Sequence, residues 1–185
     1  TLATSPSDEN EILSPMGSAT DGSALYIANT GLHTILRIDS PGSSPVISCL
    51  AGREGIPGSI DGATRNDATF TSPRGIGFQG SKLYVADGTP RIRRVSPNLM
   101  KVQTMFSGLP GIPNDIAYDG SYVYAAIDGY VYTNYTGTLT QLPMTQLGSL
   151  SSITYAGGYL YAADSALHCV WKISTAGAVT LFAGS

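Results

Sequence analysis

The chain is poor in charge, thiols and imidazoles. Only 12% of its 185 residues are Asp, Glu, Lys or Arg, and it holds two cysteines, two histidines and one tryptophan. Ten basic against thirteen acidic residues give a net charge of −3. That balance argues against a general nucleic-acid binder, whose affinity comes largely from Lys and Arg neutralising phosphates. No stretch approaches the roughly 18 uninterrupted apolar residues of a membrane-spanning helix, so no membrane insertion is expected. The cysteines, Cys49 and Cys169, lack the close spacing of a metal site. His168 adjoins Cys169, but neighbours along a strand point to opposite faces, which speaks against a thiol activated by that imidazole. The chain starts at Thr1 rather than Met, suggesting a processed or truncated product.

What is present in quantity is turn chemistry and tyrosine: 22 Gly, 11 Pro and 11 Tyr, the composition of many short strands joined by tight turns. One pattern recurs four times, as Tyr26-Ile27-Ala28-Asn29, Tyr84-Val85-Ala86-Asp87, Tyr124-Ala125-Ala126-Ile127 and Tyr161-Ala162-Ala163-Asp164, with spacings of 58, 40 and 37 residues. An all-strand period near 40 marks the blades of a β-propeller. The fold expected is therefore all-β, with four four-stranded antiparallel blades at about 14–52, 72–108, 112–147 and 151–185. An inter-blade loop over 53–71 accounts for the long first period, and residues 1–13 read as a tail or linker.

Turn signals place the hairpin between the first two strands of each unit: Asp21-Gly22, Gln79-Gly80, Asp119-Gly120 and Gly157-Gly158. The last strands of the first, second and fourth units each end in Gly, at Gly52, Gly108 and Gly184. The small residues Ala28, Ala86, Ala126 and Ala163 suit a position where inner strands converge. Either the four blades close a ring, or they form an arc whose open edges are hidden by association. In a closed ring Cys49 and Cys169 would lie on neighbouring blades and could form a disulfide; otherwise they are two buried thiols.

Asn29 through Ile38 and Asp164 through Ile173, with His33 and His168 at matching places, resemble the strand-two to strand-three segment of NHL-repeat β-propellers. The loop is similar to that family's long insertion in its Ala51-Gly52, Asp61-Gly62, Ala68-Thr69-Phe70 and Pro73-Arg74-Gly75-Ile76. The third unit, Asp128 through Asn134, lacks the His and the basic residue, and Leu32 and Leu167 stand where the family has Asn. The resemblance covers about residues 14–185 and implies a propeller that binds through its faces. Some relatives are metal-assisted hydrolases or lyases, and some bind RNA through a basic face.

Each candidate residue carries a plain alternative. His33 and His168 are metal candidates, though the repeat itself prescribes them and no third His exists. Asp87, Asp128 and Asp164, with Asn29, would ring one disc face and could collect calcium; such side chains more often cap their own turns. Arg65, Arg74, Arg91, Arg93 and Arg94 concentrate positive charge in and before blade 2, against a routine solvated edge. Tyr130, Tyr132 and Tyr135 belong to a tyrosine cluster in blade 3 suited to a partner surface, or to packing between blades. Asn134-Tyr135-Thr136 is a glycosylation sequon.

The expectation is a non-catalytic binding scaffold for a protein, peptide or glycan, with Tyr130, Tyr132, Tyr135, Arg91 and Arg93 as partner-binding candidates. No cofactor is expected. The alternatives are a metal-assisted hydrolase or lyase and a basic-face RNA binder. The sequence names no compartment; the sequon leans slightly toward an extracellular or cell-surface one.

Overall fold

The computed structural model describes residues 11–40, 42, 44–63 and 66–184. It contains four antiparallel four-stranded sheets, each made from consecutive strands and arranged as a four-bladed propeller. Blade 1 is β1 (Gly17–Thr20), β2 (Ala24–Asn29), β3 (Thr34–Asp39) and β4 (Val46–Ala51). Blade 2 is β5 (Ile76–Gln79), β6 (Lys82–Asp87), β7 (Arg91–Ser96) and β8 (Lys101–Ser107). Blade 3 is β9 (Asp115–Tyr118), β10 (Val123–Ile127), β11 (Tyr130–Thr133) and the two-residue β12 (Thr140–Gln141). Blade 4 is β13 (Leu150–Ala156), β14 (Tyr159–Asp164), β15 (Cys169–Ser174) and β16 (Val179–Gly184).

The hairpins form where the turn signals lie. Gly120 (φ 103°) and the pair Gly157 and Gly158 (φ 56° and 85°) take backbone angles that a side chain would resist. In blade 4 the hairpin register pairs Tyr155 with Leu160 and Tyr159 with Ala156, which puts Leu160 and Ala162 on one face and Tyr159 and Tyr161 on the other.

Blades 1, 2 and 3 each bury their front face, the one toward the next blade in chain order, against that blade's back face. Tyr26, Ala28 and Ile35 of blade 1 meet Leu83, Val85 and Val95 of blade 2. Ala86 and Ile92 of blade 2 meet Val123, Ala125 and Ile127 of blade 3. Tyr124, Ala126 and Val131 of blade 3 meet Leu160, Ala162 and Ile173 of blade 4. A parallel ring stack repeats at each junction: Tyr26 on Phe78, Tyr84 on Tyr118 and Tyr124 on Tyr155, with centroids 5.6, 5.4 and 6.4 Å apart. The anchor Tyr of the sequence repeat is thus the hinge pin between blades.

The inner strands pack in the order β1 on β5, β5 on β9 and β9 on β13. β13 and β1 line the same central cleft without forming a fourth packed junction. Cys49 and Cys169 consequently sit on blades that do not pack together, and both are thiols. Of the two alternatives, a disulfide in a closed ring or two buried thiols, the structure shows the second.

The 53–71 connection is a strap over the junction of blades 1 and 2. Its Ala68 and Phe70 enter the core between those blades, and Gly62 pairs with Val102 on the outer strand of blade 2. At the other end of the chain, Glu11 and Leu13 are fastened rather than loose. The Leu13 N–H donates to Asn29 Oδ1 at 2.7 Å, and Asn29 Nδ2 donates to the Glu11 carbonyl at 2.8 Å. The rest of the expected tail, residues 1–10, lies outside the described residues, as does Arg65.

Candidate functional site

Three places bring functional side chains together: the central cleft, the strand-end clamps and the tyrosine face of blade 3. The cleft, of about 500 Å³, is lined by the first strand of every blade. Those strands must approach closely, and their sequence permits it. A Cβ on Gly17 would run into the Arg74 carbonyl and Ile76 N, and one on Gly75 would run into Asp115. Asp115 occupies the position equivalent to Gly17 and Gly75, and it bridges outward to blade 4. Its carboxylate accepts from Ser152 Oγ at 2.7 Å, Ile153 N–H at 2.9 Å and its neighbour Ile116 N–H at 2.9 Å. Burial raises its pKa and outweighs those hydrogen bonds, which pull the other way. Arg74 Nη1 donates to Asn114 Oδ1 at 2.7 Å, and Asn114 Nδ2 donates to the Leu150 carbonyl at 2.9 Å. Asp115, Arg74 and Asn114 are therefore spent on tying blades 2, 3 and 4 together.

Two of the acids that were expected to ring one face, Asp87 and Asp164, act instead as clamps at the ends of β6 and β14. Asp87 accepts from Thr71 N–H at 2.8 Å and pairs with Arg93 at 3.2 Å. Asp164 accepts from the N–H groups of Gly148, Ser149, Ala166 and Leu167 and from Trp171 Nε1, all at 2.8–3.1 Å. Asn29 does the same for Leu13. In blades 1, 2 and 4 the side chain holds the segment entering that blade. Burial works to raise the Asp164 pKa, but the hydrogen bonds from Trp171, Leu167, Gly148 and Ser149 overcome it and hold the carboxyl below its ordinary value. For Asp87 the balance reverses: burial dominates and the pKa rises. Asp128 follows a different path, in the left-handed region (φ 48°), where its carbonyl accepts from Gln146 Nε2.

Arg93 corrects the expectation of a surface contact. It is wholly buried beneath the strap, paired with Asp87 and with Asp61 (2.9 Å) and donating to the Thr69 and Ile60 carbonyls. Its guanidinium lies 5.1 Å from the centre of the Phe70 ring, and its Nε has no hydrogen-bond partner. Arg91 is half-buried at the start of β7. Arg94 Nη2 reaches Gln103 at 3.0 Å. The basic cluster is thus dispersed.

His33 and His168 both take left-handed backbone angles (φ 60° and 53°) just before a third strand. His33 Nδ1 accepts from Ser72 N–H at 2.9 Å, which pins the end of the strap. Among the described residues no three His, Cys, Asp or Glu side chains gather as a metal site.

The tyrosine face lies on the side of the disc that carries the first-to-second and third-to-fourth strand turns. Tyr124 O–H donates to Asp119 at 2.7 Å, repeating the Tyr26 bond to Asp21 at 2.8 Å. Tyr135 stands edge-on to both Tyr122 (4.3 Å between centroids) and Tyr124 (5.9 Å). With the Tyr124 proton given to Asp119, the single Tyr135 hydroxyl proton is shared between the Tyr124 oxygen and the Thr175 carbonyl of blade 4 at 3.3 Å. Burial first, then the Tyr135 and Asp119 hydrogen bonds, drive the Tyr124 pKa far above the phenol range. Tyr132 packs on the core between blades 2 and 3, and its hydroxyl donates to Gln141 at 3.2 Å. Tyr130 is half-buried at the opposite end of β11. The five partner-binding candidates are therefore not assembled into one patch. Asn134 of the sequon uses its side-chain oxygen to accept from Val123 N–H at 2.8 Å.

Sequence reading missed Asp61, Asn114 and Asp115. For Asp115 a signal existed: it is the one acid at a position held by Gly in blades 1 and 2.

No known protein family matches the sequence, and no curated protein does either. Solved structures match in fold. A chain in the crystal structure of a nidogen/laminin complex superposes with a TM-score of 0.69 at 19% identity, over 88% of this chain and 60% of that one. Apo AztD from Citrobacter koseri gives 0.55 at 16% identity, over 90% of this chain and 45% of that one. The chain thus spans less than two thirds of either structure.

Proposed function

We propose that this chain is a non-catalytic binding scaffold, an NHL-type propeller over residues 14–185, that recognises a protein, peptide or glycan through the face carrying Tyr135. One observation carries the reading: the Tyr135 ring is 39% exposed yet held by two neighbouring rings and two hydroxyl contacts. An aromatic side chain fixed before binding loses little entropy when a partner covers it. The carboxylate and amide groups of the clamps, and Asp115 and Asn114 of the cleft, are held in internal hydrogen bonds, which favours the disc face carrying Tyr135 as the partner surface. The likeness to a chain solved within a nidogen/laminin complex supports a protein partner.

The test is a peptide-display selection together with a glycan array, run against the intact chain. Binders are expected to weaken about tenfold or more for Tyr135→Ala and to keep most of their affinity for Tyr135→Phe. Selected binders indifferent to Tyr135→Ala would overturn the assignment of this face.

A further inference from the structure

Blade 3 departs from the other blades at one position of its third strand. Opposite the residue that precedes the anchor Tyr, blades 1, 2 and 4 carry an apolar side chain: Ile38 pairs with Leu25, Val95 with Leu83 and Ile173 with Leu160. Val95 and Ile173 are wholly buried. In blade 3 the register pairs Tyr124 with Thr133 and β11 stops there, so the place opposite Val123 falls to Asn134. Asn134 Oδ1 accepts from the Val123 N–H at 2.8 Å, as a strand carbonyl would, and the chain leaves the sheet.

That bond uses one half of the carboxamide. Asn29 and Asn114 use both halves. Asn29 Nδ2 donates to the Glu11 carbonyl while its Oδ1 accepts from Leu13, and Asn114 Nδ2 donates to the Leu150 carbonyl while its Oδ1 accepts from Arg74. Among the described residues Asn134 Nδ2 has no hydrogen-bond partner, and with Oδ1 held the planar amide fixes its direction. The segment that follows lies open to solvent. Tyr135, Thr136, Gly137 and Thr138 are exposed, and the Gly137 N–H closes a tight turn onto the Asn134 carbonyl at 2.9 Å. A side chain placed at Gly137 would meet nothing within 4 Å. Thr136 supplies the hydroxyl that makes this the only Asn-x-Ser/Thr triplet of the sequence.

We propose that Asn134 is the acceptor of an N-linked glycan, donated by an oligosaccharide carried on a polyprenyl diphosphate. Nδ2 attacks the anomeric carbon of the first sugar. The C–N bond forms as the C–O bond to the diphosphate breaks, the polyprenyl diphosphate leaves, and one Nδ2 proton is released. Oδ1 takes no part in the new bond, so the modified side chain still accepts from the Val123 N–H and the blade carries the sugar without rearrangement. An apolar residue buried at this place, as in blades 2 and 4, could not do so. The acceptor requires no ligand on the Tyr135 face.

The test is expression of the full chain behind a cleavable secretion signal in a eukaryotic host, with intact mass of the soluble protein, secreted or retained, before and after enzymatic release of N-glycans. One glycan per chain is expected, lost in Asn134→Gln and in Thr136→Val and kept in Thr136→Ser. Thr136→Val leaves the Asn134 bond to Val123 in place, so its loss of sugar reports on the acceptor and not on folding. Glycosylated and enzymatically released chains are expected to melt within about 2 °C of each other. The Val123 amide should exchange equally slowly in both, because its acceptor is untouched. Soluble, folded chain without sugar overturns the proposal. Sugar found only on chains whose Val123 amide exchanges freely also overturns it, since the folded turn would then not accommodate the modification.

Discussion

The ring of Tyr124 lies within 2° of parallel to that of Tyr155, with centroids 6.4 Å apart, so the defining tyrosine of blade 3 is completed by a side chain of blade 4. The same relation joins Tyr26 to Phe78 and Tyr84 to Tyr118. Tyr124→Ala should therefore destabilise the fold by about 3–5 kcal/mol, as for other large buried aromatics cut to Ala. Tyr161→Ala, whose ring has no stacking partner from another blade among the described residues, should cost about 1 kcal/mol or less. Urea denaturation of the two variants measures the difference directly.

Asp164 gives a pH dependence with a definite sign. Its folded pKa is lowered, so its contribution is present above the unfolded value of about 3.9 and is lost as pH falls through the folded value. Asp164→Ala removes the acceptor of five donors and should cost about 1–3 kcal/mol at pH 7. The loss should shrink toward pH 2, and Asp164→Asn should retain part of the stability, as Asn29 does at the same place in blade 1. Chemical denaturation at pH 7, 4 and 2 checks all three statements.

Arg93 and Arg91, two residues apart, should behave in opposite ways. Arg93→Ala leaves Asp87 buried without its counter-charge and should cost about 3–5 kcal/mol. Arg91→Ala should stay within about 0.5 kcal/mol. Loss of the Arg93 contacts should also release the strap, read as faster amide exchange over 58–62.

Gly17→Ala forces a methyl group into the Arg74 carbonyl and should cost about 1–3 kcal/mol through displacement of β5. Gly42→Ala, with open space around it, should be neutral or slightly stabilising. A pair of thermal melts separates the cases.

Both cysteines should alkylate in denaturant without any reductant, giving two adducts by intact mass. In the folded protein Cys169 should react slowly, because burial and the nearby Asp164 raise its thiol pKa.

The repeat was legible because its determinants are local. A hairpin such as that at Gly157-Gly158 is set by two adjacent residues, and the anchor Tyr recurs with each blade. The role of Arg93 was not legible, because its partner Asp61 lies 32 residues away in the strap and only the folded path brings them together. The choice between a disulfide and two thiols was left open for a related reason: strand patterning fixes what a blade is, while the angle between blades decides which of them become neighbours. Asn29, Asp87 and Asp164 were recognised as turn-capping residues, but that each grips the chain entering its own blade depends on closure across the sheet. Tyr135 was selected as a surface residue and lies on one. Tyr132 was selected with it and faces the core between blades 2 and 3, since alternation along β11 does not reveal which side meets a neighbour.

The strap makes the two ends of the arc mechanically unequal. Blade 1 is riveted to blade 2 by Phe70, by the buried Arg93 and by the Gly62–Val102 bridge, in addition to the ring stack. Blade 4 is held to blade 3 by its own stack, the Asp115 bridge and the Tyr135 contact to Thr175. Pulled from both termini, the molecule should therefore come apart in reverse chain order. The last blade should peel away at the lowest force, and the strapped pair should rupture together as a single larger event.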